Sequence, residues 1–132
     1  MKLLIDTNVF LEVLLEDAKA DDARRLLLNE KGHELFVSDF AVHSIGLLLF
    51  RRELPETFRE FLSDVIEASG IVVVGLTAQE LKDLPAVAST HGLDFDDAYQ
   101  FSLAEKHDLE IVSFDKDFDR TARGRKTPTD LI

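Results

Sequence analysis

The sequence predicts a single α/β domain, a three-layer sandwich in which helices flank a central, mostly parallel sheet of four or five strands. Short apolar runs alternate with capped helical segments along the whole chain, a pattern typical of parallel sheets with right-handed crossovers. No repeat, linker or low-complexity stretch interrupts it. The length of 132 residues also fits one domain spanning residues 1–132.

Four short apolar segments are the strand candidates. They are Lys2–Ile5, Glu34–Val37, Ile71–Val74 and Glu110–Ser113. The third of them is unbroken and β-branched, which predicts a strand buried on both faces. The tail from Asp115 is expected to be irregular, with one short helix and a last edge strand near Thr129–Ile132.

The helical segments are bounded by capping residues, glycines and prolines. They are predicted at Val9–Leu15, at Ala20–Asn29, from Ser38 or Asp39 to Arg52, at Glu56–Ala68, from Thr77 onward, and from Asp94 to about His107. Thr77 and Glu80 have the spacing of a capping box. Pro85 is expected to kink or split the helix that they begin.

Composition excludes several classes of protein. The chain has no cysteine, so disulfides and thiolate metal sites are excluded. Its apolar runs are too short to span a bilayer, so we expect a cytoplasmic protein without a membrane partner. The net charge of −11 counts against nucleic-acid binding by bulk electrostatics. Basic residues gather near the C-terminus, where they are either solvated surface charges or phosphate contacts: Arg120, Arg123, Arg125 and Lys126.

Three aspartates are placed where a parallel sheet binds its ligands. Asp6 follows the first predicted strand, Asp115 follows the fourth, and Asp97 lies in the first turn of the helix between the third and fourth. Because ligands bind at the carboxyl ends of parallel strands, we expect these carboxylates to converge. Oxygen ligands suit Mg²⁺ or Mn²⁺, and such ions can assist phosphodiester hydrolysis. We therefore predict that these three residues are metal-binding and catalytic.

Three segments resemble the PIN-domain nucleases. The segments are Leu4–Leu11, Asp97–Glu105 and Ile111–Phe118, and together they span most of the chain in the family's order. The resemblance implies a PIN fold, Mg²⁺- or Mn²⁺-dependent cleavage of an RNA substrate, and frequent homodimers. It also implies that the chain is similar to small VapC-like toxins, whose partner is an antitoxin protein.

The chain departs from that family at one position. Ser44 stands where the family has a glutamate, in the helix after the second strand. Asp39 or His43, one turn apart on that helix, could compensate for the missing acid. The departure leaves an alternative function open, a PIN-fold binding protein with weakened catalysis.

Four further residues are candidates for a supporting role near the site. Asp94 is expected to cap the helix that carries Asp97. Asp117 is a second possible ligand beside Asp115. Ser113 is expected to orient a carboxylate or a water molecule, and Asn8 is either a cap or a site residue.

Overall fold

A computed structural model describes residues 1–132 and contains a four-stranded sheet in the order β3-β2-β1-β4. The strands are β1 (Lys2–Ile5), β2 (Glu34–Ser38), β3 (Val72–Val74) and β4 (Glu110–Val112). All three pairings are parallel, and Leu4 of β1 lies opposite Phe36 of β2 and Ile111 of β4. The predicted α/β fold class is therefore confirmed.

Helices connect the strands and cover the sheet. They are α1 (Thr7–Leu14), α2 (Ala20–Leu28), α3 (Asp39–Arg51), α4 (Pro55–Glu60), α5 (Ala78–Leu81), α6 (Leu84–His91) and α7 (Phe95–His107). The predicted helix Glu56–Ala68 is α-helical only at its start, because α4 continues as a π-helix over Phe61–Glu67. The capping box of Thr77 and Glu80 is present. Not one of these helices combines the length and the apolar character that a bilayer crossing would need.

The core has one apolar cluster on each face of the sheet. Leu3 and Ile5 of β1 pack into the cluster that includes Phe10 of α1. Leu4, between them, packs into the second cluster with Leu103 of α7. This alternation follows from the two-residue period of a strand and produces the predicted three layers.

The third strand differs from its prediction. Val72 and Val73 are 49% and 48% exposed, although the segment Ile71–Val74 was expected to be buried on both faces. The reason is its place in the sheet, since β3 is an edge strand that pairs with β2 alone.

The C-terminal edge strand predicted near Thr129–Ile132 is also wrong. Pro128–Leu131 forms a 3₁₀ helix instead, which begins with a capping box between Thr127 and Asp130. Proline has no backbone N–H for a strand ladder but suits the first turn of a helix. The extended pairing of the tail lies earlier, where Lys126 forms a bridge with Val112.

Candidate active site

A cleft of about 260 Å³ lies where β1 and β4 end. The lining includes five aspartates, which are Asp6, Asp94, Asp96, Asp97 and Asp115. Asp6 follows β1 directly and is the N-cap of α1. Asp97 lies in the first turn of α7, and Asp115 caps the 3₁₀ helix that follows β4. The structure thus brings the three predicted acids around one cleft.

The Asp6 carboxylate is buried and held by three donors. Its Oδ1 accepts from the Thr7 N–H at 2.7 Å and from Gln100 Nε2 at 3.1 Å. Its Oδ2 accepts from Ser113 Oγ at 2.6 Å. Burial nevertheless raises the pKa of Asp6 above its ordinary value, because removal from water penalises the charged form more than these donors favour it. The orientation of this carboxylate is therefore fixed by the protein.

Ser113 connects the ends of β1 and β4. This side chain is fully buried. Its Oγ donates to Asp6 and accepts from Asn8 Nδ2 at 3.1 Å and from the Asp115 N–H at 2.9 Å. Asn8 Oδ1 in turn accepts from the Phe114 N–H at 3.2 Å. Ser113 and Asn8 therefore orient the backbone and side chains of the site.

Three carboxylates form a tight cluster at the cleft. One oxygen each of Asp97, Asp115 and Asp117 lies within 4.8 Å of the others. Asp97 is only 6% exposed, and its Oδ2 is buried without a hydrogen-bond partner. Burial, followed by the charges of Asp94 and Asp115, raises the pKa of Asp97 to about 7. Asp6 is not part of this cluster, although its charge also contributes to that shift.

The donor set of this cluster fits a hard divalent cation. Mg²⁺ and Mn²⁺ prefer oxygen ligands, and the cluster offers carboxylate oxygens without a cysteine or histidine. The buried Oδ2 of Asp97 has no donor from the chain, so it is open to an ion or to a water molecule that an ion holds. A cation there would also relieve the repulsion between the acids, which adds to the effect of burial in raising the pKa of Asp97.

The two residues considered as replacements for the missing glutamate do not line this cleft. Asp39 and His43 are exposed and line a separate apolar groove on α3. Asp39 Oδ1 accepts from the Tyr99 hydroxyl at 2.7 Å, and its carboxylate does not line the cleft. Ser44 does line the cleft, so a hydroxyl occupies the position where the PIN resemblance leads one to expect a carboxylate.

Gln100 is a site residue that no sequence motif indicated. It lines the cleft, is 5% exposed and donates to Asp6. The local signal was a polar residue three positions after Asp97, on a helix whose neighbouring residues are largely apolar and buried. Asp94 behaves as expected, since its side chain caps α7 by accepting from the Asp97 N–H at 2.9 Å.

The basic residues near the C-terminus have mostly structural contacts. The Arg123 and Arg125 side chains are 17% and 14% exposed, and they pair with acids at the end of α7 and in the 3₁₀ helix after β4, respectively. Arg125 also donates to the Ser113 carbonyl at 3.1 Å. Arg120 also has structural contacts, a 3.3 Å ion pair with Asp117 and a 2.7 Å hydrogen bond to the Gly92 carbonyl, but it differs in that 56% of its side chain is exposed.

The family of the chain follows from the span of a sequence match. The family model described as PIN domain matches residues 3–124, which include every residue of the cleft and all of the four strands except Lys2, the first residue of β1. The chain belongs to the PIN domain family. In this PIN domain, Asp6 and Asp115 follow β1 and β4. They lie within Leu4–Leu11 and Ile111–Phe118, two of the segments that resemble the family.

Curated and solved proteins are similar to this PIN domain over most of their length. Ribonuclease VapC3 of Pyrobaculum aerophilum is 26% identical over 121 residues, 88% of this chain and 91% of that protein. The structure of Mycobacterium tuberculosis VapC20, described as a Sarcin-Ricin loop cleaving toxin, has a TM-score of 0.73 at 20% identity and covers 89% of this chain and 92% of its own. VapBC2 from Rickettsia felis, bound to a promoter DNA fragment, has a TM-score of 0.74 at 16% identity. The match covers 96% of this chain and 98% of the VapBC2 chain. At these identities the solved structures establish a shared fold.

Proposed function

We propose that this PIN domain is a divalent-metal-dependent endoribonuclease that hydrolyses RNA phosphodiester bonds. The observation that carries the proposal is the cluster of Asp97, Asp115 and Asp117, with carboxylate oxygens within 4.8 Å of one another and a buried, unpartnered Oδ2 on Asp97. The curated relative named Ribonuclease VapC3 supports the same activity. We further propose that the protein acts in the cytoplasm as the toxin of a toxin–antitoxin pair.

Four aspartates and one serine at or beside the cleft have roles in this proposal. Asp97 and Asp115 would hold Mg²⁺ or Mn²⁺, with Asp6 as the third predicted ligand and Asp117 as a further candidate from the same cluster. The ion, when bound, makes a water molecule nucleophilic and stabilises charge on the leaving oxygen. Ser113 keeps Asp6 in one orientation at 2.6 Å, so the carboxylate needs little rearrangement for binding.

RNA must reach this cleft despite the net charge of −11. Long-range repulsion slows the approach of a polyanion, so local contacts must offset it. Arg120 is better suited to such a contact than its neighbours, because 56% of its side chain is exposed and it adjoins Asp117. Arg123 and Arg125 are largely committed to ion pairs within the protein, so we assign them no contact with RNA.

The proposal is tested by comparing RNA cleavage in Mn²⁺ and in EDTA. The wild type should cleave RNA only in Mn²⁺ and should leave DNA of the same sequence intact. Asp115→Asn should reduce the rate by roughly 100-fold or more, since it removes charge that a catalytic ion needs. Asp64→Asn, an exposed change on the π-helical segment, is the matched control. Equal cleavage by wild type and Asp115→Asn would indicate a contaminating nuclease and contradict the proposal.

Ser44 favours a second candidate function, an RNA-binding PIN domain with weakened catalysis. Ser44 lines the cleft and provides a neutral hydroxyl where the family resemblance implies a carboxylate. One acid fewer lowers the electrostatic attraction for a second ion. Retention of RNA without cleavage at any Mn²⁺ concentration would favour this candidate over the nuclease.

We also propose a protein partner for the surface of α3 and α4, either an antitoxin or a second copy of the chain. Leu47, Phe50 and Leu54 are 45%, 60% and 41% exposed, and clustered apolar surface commonly marks a protein contact. The solved structures of similar fold include a toxin-antitoxin complex from Klebsiella pneumoniae. Sedimentation of the wild type and of Phe50→Asp tests the homodimer, which predicts a dimer that the substitution dissociates. A monomeric wild type would contradict the homodimer.

A further inference from the structure

Gln100 is a buried side chain with one hydrogen-bonding atom that has no partner in the chain. It lies on α7, one turn after Asp97, and lines the acidic cleft while only 5% of it is exposed. Its Nε2 donates to Asp6 Oδ1 at 3.1 Å. Its Oε1 is buried and accepts from no donor of the chain, as is also true of Asp97 Oδ2. Two unpartnered oxygen acceptors therefore lie within one turn of one helix at the cleft.

The orientation of the Gln100 amide is determined by Asp6. A glutamine side chain has a donating nitrogen and an accepting oxygen that can exchange places by rotation. The reverse orientation would place Oε1 against the Asp6 carboxylate, where two acceptors repel each other. The nitrogen therefore faces Asp6, and Oε1 is left to be satisfied by something outside the chain, because a buried acceptor without a donor is destabilising.

We propose that Gln100 provides a neutral oxygen ligand to the metal site. Its Nε2–H positions Asp6, and its Oε1 binds the divalent cation or a water molecule that the cation holds. This inference rests on the proposed metal-dependent function. It gives the site an additional oxygen without additional charge, in a cleft where Ser44 replaces the expected carboxylate. Groups that orient metal ligands commonly change metal affinity when they are replaced.

A purely structural role for Gln100 gives a different expectation. If the side chain only packs beside Asp6, its replacement lowers stability equally with and without metal. If Oε1 takes part in metal binding, replacement reduces the extra stability that Mn²⁺ confers, because a ligand that binds the folded state more weakly stabilises it less. The increase in unfolding temperature on addition of Mn²⁺ distinguishes the two roles.

The experiment measures Mn²⁺ affinity by titration calorimetry and unfolding temperature in EDTA and in excess Mn²⁺. Gln100→Met keeps the length of the side chain and removes both polar atoms, and it should weaken Mn²⁺ binding about 10- to 100-fold. Gln100→Glu keeps an oxygen and adds charge. It should unfold at a lower temperature than wild type in EDTA. Its unfolding temperature should nevertheless rise at least as much as that of wild type when Mn²⁺ is added. Gln79→Met, at an exposed position on α5, should match the wild type in both measurements.

The outcomes separate this inference from the proposed function. A wild type that binds Mn²⁺, together with a Gln100→Met variant that binds it equally well, overturns the role of Gln100 alone. If Gln100→Met does not fold, Gln100→Glu provides the test. A smaller Mn²⁺-induced increase in unfolding temperature for Gln100→Glu than for wild type overturns the role of Gln100. A wild type that binds no Mn²⁺ overturns the metal-dependent function and, with it, the basis of the inference.

Discussion

Ser113 Oγ donates a 2.6 Å hydrogen bond to Asp6 Oδ2 across 107 positions of the sequence. The bond joins the residue that follows β4 to the residue that follows β1, which are neighbouring strands of the sheet. The same hydroxyl accepts from Asn8 and from the Asp115 backbone. A single buried serine therefore couples two of the proposed metal ligands to each other.

Replacement of Ser113 by alanine is expected to damage both the fold and the metal site. It leaves the buried Asp6 oxygen and two donors without their partner, which should cost about 1–3 kcal/mol of unfolding free energy. Mn²⁺ affinity should fall about 10-fold or more, because Asp6 loses its orientation. Urea denaturation and titration calorimetry measure the two effects. Ser89→Ala, at an exposed position on α6, is the control, and a Ser113→Ala protein that behaves like it would refute the linking role.

The stability of the metal-free protein should decrease as pH rises through neutrality. The folded-state pKa of Asp97 is raised from 3.8 to about 7, first by burial and then by the charges of Asp94 and Asp115. The folded state therefore holds a proton that the unfolded state releases. The stabilising contribution is complete below pH 3.8 and is lost as pH rises through about 7.

Asp97→Asn tests this assignment. The variant cannot ionise at that position, so in EDTA it should lose less stability than wild type between about pH 5 and about pH 8. Some slope should remain, because the pKa of Asp6 is also raised. Urea midpoints at the two pH values give the comparison, with Asp64→Asn as the control. An Asp97→Asn slope as steep as that of wild type would show that another group is responsible.

Ser44→Glu should strengthen metal binding by supplying a carboxylate on the cleft wall. Ser44 lines the cleft and is half-buried, so a longer side chain there can extend toward the acids. We expect Mn²⁺ to bind about 10-fold more tightly than to wild type, which corresponds to about 1.4 kcal/mol. Ser44→Gln has the same shape without the charge and should show no such gain. Equal affinities for the two variants would mean that position 44 does not reach the ion.

Asp39→Asn should leave metal binding unchanged. Asp39 lies outside the cleft, and its Oδ1 accepts from the Tyr99 hydroxyl and from the Phe40 N–H, both at 2.7 Å. An asparagine oxygen can accept from both, so stability should also change little. Mn²⁺ affinity measured beside that of Asp115→Asn decides the matter. A large loss of affinity in Asp39→Asn would restore this residue as a metal ligand.

The sequence was sufficient to predict the fold class and the meeting of the acids at one edge. Parallel strands all end at the same edge of the sheet, so the positions of Asp6 and Asp115 after their strands place both acids at that edge. They meet because β1 and β4 are neighbouring strands. The metal-binding roles of these residues remain predictions. The burial of β3 could not be predicted in this way, because a run of valines is the same in a central strand and at an edge.

Contacts between residues distant in sequence explain the other differences. The Tyr99 hydroxyl holds Asp39 across 60 positions, and no local pattern around Asp39 indicates that partner. Gln100 bonds to Asp6 across 94 positions, so its role became visible only when α7 was placed against the end of β1. In both cases the side chain is chemically suited to several roles, and the tertiary neighbour selects one.

Anomalous diffraction from crystals soaked in Mn²⁺ would locate a divalent cation held in the acidic cleft. We expect an anomalous peak at the cleft, within coordination distance of Asp97 and Asp115 and of at least one of Asp6, Asp117 and Gln100. A fully soaked crystal with no peak at these carboxylates, or with its peak at another surface, would contradict this expectation.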